Sequence, residues 1–340
     1  GGMRVNQRDA TYTANGYTLD RFELSSSGLD QFAPSITQEV TPANLPDGHN
    51  AAFKLAVGTA ETAVDAAEYA RVMTTLEGQD IQHLQHGTAS AKTTTLSFWV
   101  KSNITGTYCV VIWRETGDRY MHMNYTIDSA NTWEKKTLTM VGDTSGAVEA
   151  NNHTNRFEID WMLAAGSNYT GSKTLNTWTA SNAAVWATGH TANVLSSTSN
   201  TWYLTGVQLE EGSTATEFEH RSFAEELLRC QRYCQRWAYD SLYAPGRGSG
   251  TTNFNFTQVL STPLRASPTV SQDVDSGLWK AFLHNTTTTC TNTPTVQRSQ
   301  TNTPSITLLL GGLSSVSDDR VGLIQANFGS NGYFMLDAEL

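Results

Sequence analysis

Thr94–Lys101 reads TTLSFWVK, and its alternation sends Leu96, Phe98 and Val100 to one face of an extended chain and Ser97, Trp99 and Lys101 to the other. Each face carries an aromatic ring, so the strand is expected to be covered on both sides. The same pattern returns at Thr107–Glu115 (TYCVVIWRE), Trp133–Val141 (WEKKTLTMV), Arg156–Leu163 (RFEIDWML) and Thr201–Leu209 (TWYLTGVQL), with Gly, Asn, Ser and Asp between the runs. Short strands at these intervals, without sequential helices between them, predict an all-β sandwich and argue against a parallel α/β sheet.

Composition points the same way. The 340 residues include 48 Thr, 29 Ser and 22 Asn while charged residues make up only 16 %; Thr favours strands, and Ser and Asn favour turns. A net charge of −10 repels phosphate backbones and argues against nucleic-acid binding. No apolar run approaches the ~18 residues of a membrane span, and no charged-then-apolar leader precedes residue 30, so the chain reads as soluble, with no membrane insertion.

Two stretches before residue 222 read as helical. Ala60–Val72 (AETAVDAAEYARV) has helical composition, and Gly78–Gly87 (GQDIQHLQHG) spaces Ile81 and Leu84 three apart between glycines. The clearest helix starts at Ser222, where Ser222 and Glu225 have capping-box spacing. Phe223, Leu227, Cys230, Cys234 and Trp237 then follow at intervals of 4-3-4-3, an a/d seam about two heptads long. Such a seam either packs on its own β-domain or meets its copies about a symmetry axis. Cys109, Cys230, Cys234 and Cys290 show no zinc-type spacing and read as packed thiols.

Pro245–Gly250 (PGRGSG) reads as a turn or linker. Beyond it, strands are expected at Asn253–Leu260, Pro268–Val274, Gly277–Leu283, Ser305–Leu310, Val321–Phe328 and Tyr333–Leu340, giving a smaller second β-domain. The organisation is therefore 1–221 sandwich, 222–242 connecting amphipathic helix and 243–340 C-terminal β-domain.

The sequence offers no catalytic signature: HExxH, GxxxxGK[ST], GxSxG and a strand-borne GxGxxG are all missing. Asp273–Gly277 (DVDSG) opens like a calcium loop but lacks the later carboxylate. Glu210–Glu211 and Asp318–Asp319 read as solvated turns, with a structural calcium ion as the minor alternative. His83 and His86 stand three apart without a third ligand, so no metal site is assigned. What rises above background is Tyr169, Trp178 and Trp186 within the polar stretch Gly166–Asn193. Sugars present flat C–H faces and hydroxyl rings, which suit aromatic plates edged by polar groups, whereas a Trp in a long loop also serves to pin that loop to the sandwich.

Gly16–Phe22 (GYTLDRF), Leu76–Lys92 (LEGQDIQHLQHGTASAK) running into Leu96–Lys101, and Ala130–Thr137 (ANTWEKKT) resemble tailed-bacteriophage virion fibre proteins. So do Trp202–Thr216 (WYLTGVQLEEGSTAT), Phe218–Arg221 (FEHR) and Glu226–Tyr233 (ELLRCQRY). A thinner likeness to their terminal modules covers Pro263–Val270 (PLRASPTV) and Asp337–Leu340 (DAEL). The resemblance implies a jelly roll similar to carbohydrate-binding modules, joined by a helix to a distal β-domain. It also implies a homotrimeric tail or head fibre in the virion, assembled in the host cytoplasm, whose partners are other virion proteins and a host surface polysaccharide or receptor. Ala60–Val72 would then be partly strand. It carries over no catalytic residues; calcium is common in such jelly rolls, but no ligands for it map here.

The reading is thus a non-enzymatic virion adhesin, trimeric through the Phe223–Trp237 helix and the C-terminal domain. Leu227→Asp is expected to break the trimer, and Trp178→Ala to weaken host binding with the fold intact. A purely structural or capsid-decorating fibre is the first rival. A polysaccharide depolymerase, with carboxylates brought together across subunits, is the second.

Overall fold

The computed structural model describes residues 1–8, 11–19, 21–238, 242–273, 278–283, 286–299, 303–314, 316, 321–327 and 332–339. The Val274–Gly277 part of the calcium-like loop and the Asp318–Asp319 pair lie outside them. The chain forms two compact units, Gly1–Phe223 and Ala224–Leu340. Among the described residues no helix is long and apolar enough to cross a membrane.

Unit 1 contains β1 (Thr11–Tyr12), β2 (Gly16–Tyr17), β3 (Glu23–Ser27), β4 (Ala33–Glu39), β5 (Ala52–Thr59), β6 (Tyr69–Glu77) and a one-turn helix α1 (Gly78–Ile81). It continues with β7 (Thr94–Ser102), β8 (Gly106–Arg114), β9 (Arg119–Ile127), β10 (Glu134–Met140), β11 (Asn155–Ala165), β12 (Thr179–Ala180) and β13 (Thr201–Glu211). Sheet I has the order β1-β4-β5-β13-β7-β10 and sheet II the order β12-β9-β8-β11-β6-β3-β2. The described pairings are antiparallel, and the chain passes repeatedly between the sheets, the jelly-roll form of an all-β sandwich.

Alternation decides what lies between the sheets. Leu96, Phe98 and Val100 from sheet I are fully buried and meet Val110, Ile112, Ile159 and Trp161 from sheet II in one apolar cluster. Phe98 stands edge-on to both Tyr125 and Trp161, at 5.2 and 5.8 Å between centroids. Trp99 and Lys101 face outward, half-buried.

Ala60–Val72 is partly strand, as the resemblance implied, and not helical as its composition suggests: β6 begins at Tyr69 and pairs with β3 on one side and β11 on the other. Two ladders of backbone hydrogen bonds outweigh a helix propensity of a few tenths of a kcal/mol per residue, about the spread among ordinary residue types. The short helix at Gly78 does form, as α1 followed by a 3₁₀ turn at Gln82–Leu84.

The helix beginning near Ser222 is much shorter than its pattern suggests. α2 (Phe223–Gln231) ends before Cys234 and Trp237, which lie in β14 (Cys234–Ala238). The continuous seam of Phe223, Leu227, Cys230, Cys234 and Trp237 therefore does not exist. β14 pairs with the distant β23 (Tyr333–Asp337), placing Cys234 opposite Asp337 and Trp237 opposite Phe334. Trp237 packs against the Phe334 ring at 5.8 Å.

Between these two strands the chain forms β15 (Tyr243–Ser249), β16 (Asn253–Val259), β17 (Thr269–Asp273), β18 (Leu278–Leu283), β19 (Thr286–Cys290), β20 (Thr295–Arg298), β21 (Ser305–Leu310) and β22 (Val321–Asn327). Sheet III runs β19-β18-β22-β15-β16-β21-β20 and sheet IV β14-β23-β17. Trp279 is fully buried between Phe256 and Phe334, 5.6 and 5.5 Å away. The expected linker Pro245–Gly250 is instead mostly strand β15. Pro245 pairs only with Leu323 of β22, and pairing with β16 starts at Gly246. A Cβ at Gly246 would run into the Asn255 carbonyl oxygen, so the glycine serves close strand approach rather than a turn. All four cysteines are buried thiols.

Candidate functional site

The outer face of sheet II gathers the chemistry. Alternation on β6, β8, β9 and β11 points Tyr69, Arg71, Trp113, Tyr120, Glu158 and Asp160 away from the core. The register sets Asp160 beside Val111 and Met73, Glu158 beside Trp113 and Thr75, and Trp113 beside Tyr120. Gly166–Asn193 folds against this face, held by Gly166 N–H to the Glu68 carbonyl at 2.7 Å and Thr191 N–H to the Thr107 carbonyl at 2.9 Å. Within it a 3₁₀ turn, Ala183–Val185, is capped by the Asn182 side chain, which accepts from Ala184 N–H. Trp186 follows that turn.

Its ring is the hub of the site. The Arg71 guanidinium lies 4.3 Å from the Trp186 centroid, Tyr69 stands edge-on at 5.2 Å, Tyr169 is tilted at 6.1 Å and Tyr120 is stacked at 6.3 Å. Trp113 extends the group, 6.0 Å from Tyr120, and its indole N–H donates to Asp118 Oδ1 at 3.2 Å. These five rings are half-buried.

Beneath them lies a buried ionic cluster. Arg71 Nη1 donates to Glu158 Oε1 at 2.8 Å and also to Asp160 Oδ2. Burial raises the Asp160 carboxyl well above the usual range against the opposing pull of Arg71, and Glu158 pushes it further. Neighbouring His122 is lowered to about 4, by burial first and by Lys173 second. Asp160 Oδ1, Arg71 Nε, the Trp186 indole N–H and both His122 ring nitrogens are buried without a protein hydrogen-bond partner. One guanidinium thus holds both Glu158 and Asp160.

The three aromatics expected from the loop part company here. Tyr169 and Trp186 come together on sheet II. Trp178 does not: it is only 8 % exposed, belongs to the sandwich core, donates its indole N–H to the Val141 carbonyl at 2.7 Å and contacts His86 and Phe157. It pins the loop, so the expectation that Trp178→Ala spares the fold is corrected. Sequence reasoning missed Tyr69, Arg71, Trp113, Tyr120, Glu158 and Asp160. The signal for the last two was the alternation of Arg156–Leu163, which sets both acids on the face opposite Phe157, Ile159 and Trp161; the helical reading of Ala60–Val72 hid Tyr69 and Arg71.

The metal-like features resolve into protein contacts. His86 is buried, stacked on Phe157, and its Nδ1 accepts from Asp143 N–H. Glu210 accepts from the Thr216 backbone and hydroxyl, and Glu211 pairs with Lys92 at 3.3 Å. The most cation-like oxygen cage comprises carboxylates of Asp143 and Glu149 and carbonyls of Ser145 and Ala147. The fully buried Arg114 guanidinium fills it. Among the described residues no three His, Cys, Asp or Glu side chains form a group that could hold a metal ion.

No protein-family model matches the chain, and no curated protein matches it in sequence. Similar solved structures include a bacteriophage CBA120 tailspike protein 4 enzymatically active domain, at 12 % identity and TM-score 0.32, the match covering 57 % of this chain and 20 % of that one. A family 4 carbohydrate-binding module matches at 13 % identity and TM-score 0.30, covering 59 % of this chain and 94 % of that one. The family 11 module of a Clostridium thermocellum cellulase matches at 12 % identity and TM-score 0.30, with 62 % and 98 % covered. Overlaps this loose assign the chain to none of these proteins, and the likeness to virion fibre proteins rests on the segments quoted above.

Proposed function

We propose that the chain is a non-catalytic glycan-binding protein whose platform is the outer face of sheet II. The observation that carries this reading is the group of five partly exposed rings gathered around Trp186 above the Arg71 cluster. A sugar ring stacks its C–H face on such plates. The arrest of Glu158 and Asp160 on one guanidinium supports binding rather than hydrolysis.

The resemblance in sequence supports a finer proposal: a homotrimeric tail or head fibre of a tailed-phage virion, attaching the particle to host surface glycan or another receptor. Three copies multiply weak contacts through effective concentration, so each site can be shallow. Self-association finds support on sheet III, where Phe282, Leu323 and Pro245 form one cross-strand row on the outer face, with Val321 and Tyr243 exposed nearby.

A glycan array probed with the full chain tests the reading. Binding should fall roughly tenfold or more in Trp186→Ala and in Tyr120→Ala, the loss expected when a stacking ring is removed. Unchanged binding by both variants would move the glycan site off sheet II, whereas silence of the unmodified chain with normal adsorption of particles lacking it would leave a purely structural fibre. Release of reducing ends from capsule would establish a depolymerase.

A further inference from the structure

The outer face of sheet I carries a second, chemically different arrangement. The register places Lys54 of β5 beside Tyr203 of β13, and Tyr203 beside Lys101 of β7. Trp133, just ahead of β10, closes this row. The Lys101 ammonium lies 4.3 Å from the Tyr203 centroid and 4.9 Å from that of Trp133, and Lys54 lies 5.8 Å from Tyr203. Cations and rings therefore alternate across three strands and the residue that precedes a fourth.

The adjoining row on this face pairs Trp99 of β7 with Lys135 of β10. Here β13 shifts register between Thr205 and Gln208, and Gly206 adopts φ +60°. A Cβ on Gly206 would stand 2.6 Å from His49 Cε1, so the glycine allows His49 to lie 6.2 Å from the Trp99 ring. Phe218 and His220 lie 5.2 and 5.5 Å from His49. With Lys135, Gly48 and the carboxylates of Asp47 and Glu217 these rings line a cleft of about 250 Å³, below the roughly 300–1,000 Å³ typical of drug-sized ligands, and so suited to one ring, its carboxylate lying outside the cleft towards Lys101.

The charges on this face are incompletely matched. Lys54 meets Glu39 and Lys135 meets Glu217, each at 3.8 Å, and Glu217 is fully exposed, where an ion pair is weak. Lys101 has no carboxylate within ion-pair distance among the described residues; its ammonium donates to the Asn44 carbonyl at 3.0 Å, leaving N–H capacity unused. Burial lowers its pKa against the opposing pull of Glu39, and Lys54 lowers it further. A chain of net charge −10 thus carries three lysines on two neighbouring rows of rings.

We propose that the outer face of sheet I is a second glycan site, selective for carboxylate-bearing sugars: one sugar ring enters the cleft between Trp99 and Phe218, and a carboxylate of the same oligosaccharide pairs with Lys101. Trp99 and Lys101 are two residues apart on one strand, about 7 Å, a separation that adjacent sugar units can span. The site is independent of the sheet II platform.

The test is calorimetric titration of the full chain with oligogalacturonate, oligoguluronate and oligosialic acid, against cello- and malto-oligosaccharides, sulfated oligosaccharide and polyglutamate. At least one carboxylated sugar should bind more tightly than every control and weaken as salt rises. Its affinity should drop about tenfold in Lys101→Gln, the loss of one charge-assisted hydrogen bond, and also in Trp99→Ala, while Trp186→Ala retains it. Melting of Lys101→Gln at the unmodified temperature shows that the fold persists.

Failure of every carboxylated sugar, equal binding of polyglutamate or sulfated oligosaccharide, or loss in Trp186→Ala but not in Lys101→Gln overturns the proposal. The last outcome would leave the sheet II reading standing. That reading fails separately if Trp186→Ala leaves the binding of every glycan unchanged.

Discussion

The Arg71 guanidinium lies 4.3 Å from the centroid of the Trp186 ring while its Nη1 holds Glu158 and Asp160. One side chain thereby joins the loop to the sheet: the ring covers the cation, and the cation neutralises two acids that would otherwise be costly to bury. A ligand on Trp186 would rest directly above this cluster, so binding and the local stability of unit 1 should be coupled.

Replacing Arg71 by Met should therefore destabilise unit 1 by about 3–5 kcal/mol, the usual cost of orphaning buried charge. Adding Asp160→Asn should recover part of that loss. Urea unfolding followed by tryptophan fluorescence measures both, and an Arg71→Met protein as stable as the original would remove the cluster from the account.

Trp178→Ala should act on the fold rather than on ligand contact. Emptying this buried site should cost about 3–5 kcal/mol, seen as a lowered melting temperature. Glycan affinity of the protein that remains folded at low temperature should be unchanged, and a binding defect without a stability defect would return Trp178 to the site.

Acid should reveal His122. Its folded pKa of about 4 lies below the unperturbed value of about 6.5, so its contribution is complete above pH ~6.5 and is lost as pH falls towards 4. Asp160 has the opposite sign, because its raised folded pKa makes the folded state take up a proton first. Melting curves from pH 7 to 4 should fall less steeply for His122→Gln than for the original, and more steeply for Asp160→Asn. Parallel curves would dismiss both assignments.

Self-association should depend on sheet III. Light scattering should give a mass near three times 37.2 kDa, and Leu323→Lys should shift it towards the monomer by placing a charge in the exposed apolar row. A clean monomer refutes the trimer, and an unchanged trimer in Leu323→Lys moves the contact elsewhere.

The sandwich is legible in the amino-acid pattern. Leu96, Phe98 and Val100 on one face of β7, and the matching alternation of Arg156–Leu163 and Thr201–Leu209, required a buried side and therefore two layers. The pattern also gathered Tyr169 and Trp186 in one polar stretch, because aromatic supply in a loop is visible without knowing where the loop lies. Cys234–Ala238 reads as helix and Pro245–Ser249 as turn or linker, since a periodic pattern and a glycine count do not report strand partners that lie far along the chain, such as Asp337 for Cys234 and Leu323 for Pro245.

Which side chains meet follows from strand pairing and not from local pattern. Arg71 and Asp160 stand 89 residues apart in sequence, and their contact exists because β6 and β11 pair in one register; a shift of one residue would turn Asp160 into the core. Trp178 and Trp186 lie in one polar loop, yet one is sealed by the Val141 carbonyl and the other caps a cation. That difference arises from the path of the backbone across two sheets, which pairwise packing fixes and local sequence does not.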